Sequence, residues 1–244
     1  MGYKLMMRGW RAKIGLIIPS TNSTMEPDFN LLAPVGVTIH SARLKTQREA
    51  TFETLKEMEK LVLPAARSLA DCEVDAICYG CTSGSFIEGP SFSDRIIADI
   101  EKETRIPAVT TAEAMVKSIL EFKLKKIAVV SPYVSITNER LVNFLKEYGI
   151  NVISLRSFEM LDQYEHANIP SFSIYRLTRE ADNIDAEGIF ISCTQIPSID
   201  VVEALENDLG KPVIAATSAA MWLTMKKSGI KIPRSGYGSI LRRF

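Results

Sequence analysis

Short apolar segments alternate with longer amphipathic segments along the first half of the chain. Residues 13–18 form an apolar run that ends at Pro19, which is typical of a strand buried on both faces. Residues 35–41, 75–79 and 107–109 predict three further strands, and residues 25–32, 51–70 and 91–103 predict helices. In the second helix the apolar positions at helical spacing are Leu55, Met58, Leu61, Val62 and Ala65. This alternation favours a parallel sheet with helices on both faces.

The same order of elements begins again near residue 125. The segment KIAVVSP at 126–132 resembles KIGLIIP at 13–19, and EGIFISCT at 187–194 resembles DAICYGCT at 75–82. PVIAATSAAM at 212–221 likewise resembles PAVTTAEAM at 107–115. Three matches in one order indicate a duplicated α/β unit. The alternative is that they reflect only the strand–helix pairs that all α/β proteins contain.

The loops after the predicted strands indicate where a ligand binds. In an open parallel sheet the ligand crevice lies beyond the carboxyl ends of the strands. If the two halves face each other, residues 19–22, 81–85, 131–133 and 193–195 line one cleft. Backbone N–H groups at the starts of the following helices, with nearby hydroxyl groups, are suited to binding carboxylates. The sequence therefore predicts a site for a small anion between the halves.

The composition is that of a globular protein with a sizeable core, because 46% of the 244 residues are hydrophobic and 24% are charged. The 29 basic and 29 acidic side chains cancel, which argues against binding nucleic acid by bulk electrostatics. No apolar run approaches the roughly 20 residues that span a bilayer, and the chain start lacks the apolar segment of a secretory signal. Four cysteines do not make a disulfide framework, so we expect a cytoplasmic protein.

Cys81 and Cys193 are the strongest candidates for chemistry. Each ends a predicted buried strand and precedes a threonine, at equivalent points of the repeat. A thiol at a helix start tends to have a lowered pKa, which makes it a better nucleophile or base. Two such cysteines could act on opposite faces of one substrate carbon. The alternative is a small buried hydrophobic residue, the interpretation that we prefer for Cys72 and Cys78.

Metal, redox and nucleotide chemistry have less support. Cys78 and Cys81 form a C-x-x-C pair, but Cys78 lies inside a predicted strand, and a structural zinc site would need a second such pair. The chain has two histidines, His40 and His166, and neither ends an apolar strand. The first strand is followed by no G-x-G-x-x-G, and the sequence has no Walker loop. We therefore predict a reaction that uses neither metal nor imidazole.

Polar side chains in the same loops are weaker candidates. The residues Ser20, Thr21, Asn22, Thr82 and Ser83 follow predicted strands. Each of them could instead cap the helix that comes next. Tyr133 either packs in the core or directs its phenol into the cleft.

Several motifs together resemble one family. P-S-T-N at 19–22 with E-P at 26–27, C-T-S-G-S at 81–85, S-P-Y at 131–133 and F-I-S-C-T at 190–194 resemble the maleate cis–trans isomerase and arylmalonate decarboxylase branch of the aspartate/glutamate racemase superfamily. The resemblance covers residues 11–240. It implies two Rossmann-like (flavodoxin-like) parallel-sheet domains related by a pseudo-two-fold axis, with the active site between them and no cofactor or metal. We then expect a first lobe of residues 11–117 plus 216–240, a second lobe of residues 118–215, and an N-terminal extension of residues 1–10.

The resemblance also implies roles for individual residues. Cys81 matches the cysteine that adds to the substrate double bond as a thiolate, and Cys193 matches the cysteine that supplies or removes a proton. The implied substrate-binding residues are Ser20, Asn22, Thr82, Ser83, Tyr133, Gln163 and Thr194. Asn22 and Tyr133 match residues that hold carboxylates. Thr82, Ser83 and the region of Thr194 match donors that stabilise an enediolate-like species.

Two positions depart from the resembled isomerases, because Gln163 and Gln195 stand where those enzymes carry asparagine. Together with an aromatic loop at residues 158–172, they make a substrate other than maleate an alternative. The resembled decarboxylases carry glycine in place of Cys81, so the pair of cysteines favours isomerisation.

We predict a two-cysteine isomerase of a small carboxylate, most simply a maleate-like dicarboxylate. We expect a homodimer or larger homo-oligomer with neither nucleic acid nor membrane as a partner. The alternatives are a decarboxylase or racemase of a related carboxylate, and a non-catalytic protein that binds a small acid.

Overall fold

The first sheet is built around β1 (Ala12–Pro19), which is buried along nearly its whole length. The computed structural model describes residues 7–244. On one side β1 pairs with β2 (Val37–Leu44), and on the other with β3 (Ala76–Tyr79), beyond which lies β4 (Ala108–Thr110). All three pairings are parallel. Apart from Lys13 near its start, the strand is apolar, as expected when helices cover both faces of a central strand.

Helices of the first half cover both faces of this sheet. They are α1 (Met25–Leu32), α2 (Phe52–Glu59), α3 (Val62–Ala70), α4 (Thr82–Phe86), α5 (Pro90–Thr104) and α6 (Thr111–Glu121). The apolar sides of α3 and α5 pack on one face of the sheet, and those of α1 and α6 pack on the other. The helices predicted over residues 25–32 and 91–103 are confirmed, the second with one more residue at each end.

The single helix predicted over residues 51–70 is wrong, because the chain forms two helices there, α2 and α3. Pro64 has no N–H group to donate to the Lys60 carbonyl, and its ring would clash with that carbonyl in a continuous helix. The break turns Leu61 outward, so that its side chain is 38% exposed. Ala66 replaces the predicted Ala65 on the buried face.

Strand β2 is shifted toward the C-terminus relative to the predicted residues 35–41. Val35 is 85% exposed and lies in the turn before the strand. In that turn Gly36 has φ +90°, and a Cβ there would meet the ring of Trp10 at 2.4 Å. The strand then runs further than predicted, because pairing with β1 continues until Pro19 lies opposite Leu44.

The second sheet repeats the first. Its central strand β5 (Lys126–Ser131) pairs with β6 (Asn151–Ser157) on one side and with β7 (Gly188–Ile191) on the other, and β8 (Val213–Ala215) follows β7. All pairings are again parallel. Both sheets therefore share one strand order, as a pseudo-two-fold repeat requires. This order confirms the predicted duplication and the α/β class.

The last helix joins the two lobes. The second half contains α7 (Ser135–Glu147), α8 (Gln163–His166), α9 (Ser171–Ala181), α10 (Ile199–Leu209) and α11 (Ala216–Lys227). Helix α11 returns to the first lobe, where it packs against α6 and contacts β3 and β4. It is buried on all sides, and one hydrophobic cluster runs from the first sheet through α11 into the second lobe. None of the helices in residues 7–244 has both the length and the apolar character to cross a bilayer.

The lobe boundaries are a proposal. Helix α6 continues to Glu121, so we place the first border in the turn at residues 122–125 rather than at residue 117. The return of α11 agrees with a first lobe that includes residues from 216 onward. Of the expected N-terminal extension, residues 1–6 lie outside the described part of the chain.

The second sheet offers a test of how the core stabilises the fold. Phe190 in the centre of β7 is completely buried, whereas Phe172 at the start of α9 is 64% exposed. We expect Phe190→Ala to lower the free energy of unfolding by about 3–5 kcal/mol, because it leaves a cavity in the core. The control Phe172→Ala is expected to change it by less than about 0.5 kcal/mol. Urea denaturation measures both, and equal losses would contradict this assignment of the core.

Candidate active site

Loops that follow β1, β3, β5 and β7 meet at one closed cavity between the lobes. The residues that line it are Pro19, Asn22, Ala50, Cys81, Thr82, Ser83, Tyr133, Gln163, His166, Cys193, Thr194 and Gln195. The cavity volume is about 20 Å³, which is roughly room for one water. Eight of the nine residues that the sequence predicted for the site are therefore brought together.

Ser20 is the predicted site residue that lies elsewhere. Its side chain is on the surface, where Oγ accepts a hydrogen bond from the Thr46 amide at 3.2 Å. It stabilises the loop after β2, and we remove it from the candidate site.

Cys81 is the residue before α4 and has an extended backbone. Its side chain is buried, and Sγ lies 4.0 Å from the Ser83 hydroxyl oxygen. A Cβ at Gly84 would lie only 2.8 Å from this sulfur. The glycine therefore lets the start of α4 approach the thiol closely.

Cys193 lies in a strained turn directly after β7. Its φ of +87° is in the left-handed region, which residues with a Cβ rarely occupy and which is found at functional sites more often than elsewhere. The turn directs the Gln195 amide toward the sulfur, with N and Sγ 3.4 Å apart. Unlike Cys81, Cys193 is not followed at once by a helix, since α10 begins only at Ile199.

Burial raises the pKa of both thiols. At Cys81 the loss of hydration outweighs the amide of Gly84 and the nearby hydroxyl groups, which favour the thiolate. At Cys193 burial raises the pKa to about 12, against the opposing effect of neighbouring amides and the Tyr133 hydroxyl. The lowered pKa predicted at the helix start is therefore wrong. The reason is that α4 has only five residues, too few to offset the burial.

Asn22 and Thr194 connect the lobes at the wall of the cavity. The Asn22 side-chain oxygen accepts hydrogen bonds from the amides of Thr24 and Met25 at 3.0 and 2.9 Å, so it satisfies backbone donors at the start of α1 from two residues before the N-cap, Thr24. The Asn22 Nδ2 group donates a hydrogen bond to Thr194 Oγ1 at 3.3 Å. These hydrogen bonds thus fix the amide group at the cavity wall.

The two glutamines that depart from the resembled isomerases make contacts between the lobes. Gln163 Nε2 donates to the Gln47 carbonyl at 3.1 Å. Gln195 Nε2 donates to the carbonyls of Thr21 and Gln163 at 3.0 and 2.6 Å. Both side chains line the cavity while they hold the loops around it. Gln195 was predicted to line the cleft, but no substrate-binding role was predicted for it.

Thr82, Ser83 and Tyr133 supply hydroxyl groups to the cavity. The Thr82 hydroxyl is buried and has no hydrogen-bond partner within residues 7–244. The Tyr133 hydroxyl oxygen accepts a long hydrogen bond from Ser192 at 3.5 Å, and its ring is buried. A buried donor without a partner is unfavourable unless a ligand or water pairs with it, so Thr82 is suited to binding a polar group.

His166 is a site residue that the sequence analysis missed. It lies in α8 and is buried, with Nδ1 3.9 Å from Cys193 Sγ and Nε2 3.2 Å from the Met160 carbonyl oxygen. The sequence placed neither histidine at a strand end, but a long loop returns His166 to the ends of the strands. One feature of the sequence could have indicated this position. His166 follows the predicted site residue Gln163 by three residues, and residues three apart lie on the same face of a helix.

The remaining cysteines lie outside the cavity. All four are free thiols. Cys78 is fully buried in β3 and has a pKa raised by burial to about 12, as expected for a packing residue. Cys72 is exposed, contrary to the buried position predicted for it. Within the described residues, no group of three or more His, Cys, Asp or Glu side chains could hold a metal ion.

The fold and the site define an α/β enzyme class with paired cysteines between two similar lobes. A sequence model of the arylmalonate decarboxylase family matches residues 14–241, so the chain belongs to this family. A maleate isomerase from Pseudomonas putida is 28% identical over 250 residues, covering 94% of this chain and 96% of the relative. The chain is therefore an enzyme, and a non-catalytic binding protein is no longer an alternative.

Two solved structures share the fold closely. A cysteine-to-alanine variant of the maleate isomerase Iso from Pseudomonas putida S16 with maleate superimposes with a TM-score of 0.89 at 26% identity, covering 95% of this chain and 98% of that chain. The second is a cysteine-to-serine mutant of the Nocardia farcinica maleate cis-trans isomerase with a covalently bound succinylcysteine intermediate. It superimposes with a TM-score of 0.90 at 23% identity, covering 96% of this chain and 99% of that chain.

The raised pKa of Cys81 is testable by alkylation of the unliganded protein. We expect the rate of reaction with iodoacetamide at Cys81 to be still rising above pH 9, the ordinary thiol value, because only the thiolate reacts. Peptide mass spectrometry resolves each cysteine, and the exposed Cys72 controls for reagent activity. A rate at Cys81 that levels off well below pH 9 would mean that the protein stabilises the thiolate.

Proposed function

We propose that the protein interconverts the cis and trans forms of a small unsaturated dicarboxylate of the maleate type without a cofactor. Cys81 and Cys193 are the proposed catalytic residues. The observation that carries the proposal is that one cysteine from each lobe lines the same closed cavity. Membership of the family and the similarity to maleate isomerases over nearly the whole chain support it.

The proposed reaction begins with one thiolate and one thiol. The Cys81 thiolate forms a bond to one alkene carbon, and the π electrons move toward the other carbon and its carboxylate. The Cys193 thiol gives its proton to that second carbon, which leaves a single bond about which the molecule rotates. The Cys193 thiolate then removes a proton from the same carbon, the double bond forms again, and the Cys81 sulfur leaves as thiolate.

Neutral donors around the cavity are suited to the carboxylates and to the charge that develops on them. The Asn22 amide group, the unpaired Thr82 hydroxyl and the Tyr133 hydroxyl are all fixed by buried elements. Ser83 adds a further hydroxyl group, whereas the Thr194 hydroxyl donates to the Gly80 carbonyl at 3.0 Å and fixes the wall of the cavity. Donors held in place before the substrate binds stabilise an enediolate more than water does, because they need no reorganisation.

The space between the lobes is small. The cavity has room for roughly one water, so a four-carbon dicarboxylate needs the surrounding loops to move apart, and a substrate with an added aryl ring needs a larger movement. The smaller substrate is therefore favoured. Cys81 supports the same choice, since the resembled decarboxylases carry glycine at this position.

Proton transfer by Cys193 alone is the second candidate, as in a decarboxylase or racemase of a related carboxylate. The observation that favours it is the strained turn, which holds this cysteine against fixed amides and next to an imidazole. Solvent deuterium appearing at the α carbon of a saturated substrate, with no cis–trans conversion, would support this reaction.

Conversion of maleate to fumarate, followed by proton NMR, tests the leading proposal. We expect conversion by the unaltered protein, and a fall of more than about 1,000-fold in Cys81→Ala and Cys193→Ala, because each removes a group that reacts. Cys72→Ala makes the same change at an exposed thiol outside the cavity and should leave the rate unchanged. Unchanged activity in Cys81→Ala would end the covalent mechanism.

Assembly and location stay predictions from the sequence. A homodimer or larger homo-oligomer is expected, and light scattering during gel filtration would measure it. The cytoplasm is the expected compartment because the four cysteines are not needed for disulfides.

A further inference from the structure

The hydrogen bond of His166 to Met160 fixes which ring nitrogen carries the proton. A backbone carbonyl can only accept, so Nε2, 3.2 Å from the Met160 oxygen, must be the N–H donor in the neutral ring. Nδ1 is then an unprotonated acceptor, and it faces the Cys193 sulfur at 3.9 Å. This distance suits a weak S–H···N contact, and such contacts in unliganded sites often shorten in the substrate complex. Cys193 therefore has a base within reach.

The two-cysteine reaction needs such a base. It uses one thiolate and one thiol, whereas burial leaves both Cys81 and Cys193 protonated at neutral pH. One proton must therefore leave the pair before the first step and must not return during the cycle. Burial lowers the pKa of His166, so its ring is neutral at pH 7 and can accept that proton.

Charge balance points to the same residue. Among the described residues that line the cavity, none is a lysine or an arginine. His166 is then the lining side chain that can become a cation. A bound dicarboxylate brings two negative charges into a space with little water, which strongly favours a proton on the adjacent imidazole.

We propose that His166 accepts the thiol proton of Cys193 and holds it on Nδ1 throughout turnover. The Cys193 S–H bond breaks and the N–H bond forms on His166. With the substrate bound, the Cys81 thiol proton then passes to the Cys193 sulfur, which leaves Cys81 as the thiolate and Cys193 as the thiol that the reaction uses. The positive charge of the imidazolium at the same time offsets part of the negative charge of the substrate. This inference rests on the proposed two-cysteine reaction and assigns the source of its thiolate.

Other ionisable groups near His166 affect its pKa. The carboxylates of Asp162 and Glu165 raise its pKa, but by less than burial lowers it. Asp162 also forms an ion pair with Arg48 at 2.6 Å. The Tyr133 ring lies edge-on to the imidazole with 6.4 Å between the ring centres, and Cys81 lies across the cavity. Cys193 is the group that contacts Nδ1.

The variant His166→Gln tests the proposal, because glutamine can still donate to the Met160 carbonyl but is not a base. We expect kcat/KM at pH 7 to fall by about 100-fold, the usual contribution of a general base. In the unaltered protein the rate should fall at acidic pH, as His166 becomes protonated before the substrate binds. In His166→Gln the rate should not level off near neutral pH but should rise about tenfold per pH unit from the acidic into the alkaline range, as a thiol of raised pKa ionises. The control is His40→Gln on β2, which should keep the profile of the unaltered protein.

Alkylation with iodoacetamide tests the same inference without a substrate. At pH 7 the rate at Cys193 should fall about tenfold or more in His166→Gln, whereas the rate at Cys81, in the same cavity, reports access and should not change. Equal losses at both cysteines, or an unchanged pH profile, would overturn the role of His166. If maleate is not converted by the unaltered protein but alkylation of Cys193 depends on His166, the proposed function fails while the proton transfer stands.

Discussion

The active site depends on hydrogen bonds that join the loop after β1 to the loop after β7. Asn22 contacts the Thr194 hydroxyl, the Thr24 hydroxyl donates to the Gln195 carbonyl at 2.9 Å, and the Gln195 side chain returns a hydrogen bond to the Thr21 carbonyl. These bonds are buried, so losing one would leave polar groups without partners. They hold the carboxyl ends of two separate sheets against each other. Without them the two cysteines would belong to two clefts open to water.

Closure of the cavity determines its electrostatics. Removing water raises the pKa of both thiols and of Tyr133, and it lowers that of His166, so every ionisable group at the site is driven toward its neutral form. The same loss of water strengthens any hydrogen bond or charge that the substrate brings. The resting site is therefore uncharged, and it becomes charged only when a proton moves within it.

Much of the fold could be predicted from the sequence, because buried parallel strands are largely apolar and this pattern occurs twice. It also located Cys81 and Cys193, since both follow such strands directly. It did not show where α2 ends, because apolar spacing continues across the turn and only Pro64 marks the break. Nor could it reveal that burial reverses the pKa shift expected at the start of α4. That balance depends on how completely the second lobe covers the thiol.

His166 shows a second limit of sequence reasoning. The loop between β6 and α9 is long, and apart from the spacing of His166 from Gln163 its sequence does not indicate that α8 turns its buried side toward Cys193. Contacts between the lobes, such as that between Gln163 and the Gln47 carbonyl, decide this orientation. Such contacts join residues far apart in the chain, and hydrophobic periodicity contains no information about them.

The backbone at the two cysteines has diverged although the strands before them are alike. Cys81 is extended and leads into a helix, whereas Cys193 occupies a left-handed turn with no helix directly behind it. The two lobes of the repeated fold thus differ in backbone conformation at the proposed catalytic residues. A molecule with two identical ends would meet unlike partners on its two sides, so its ends become distinguishable once it is bound. The handedness of each step is then set by the protein, even for a substrate that has none of its own.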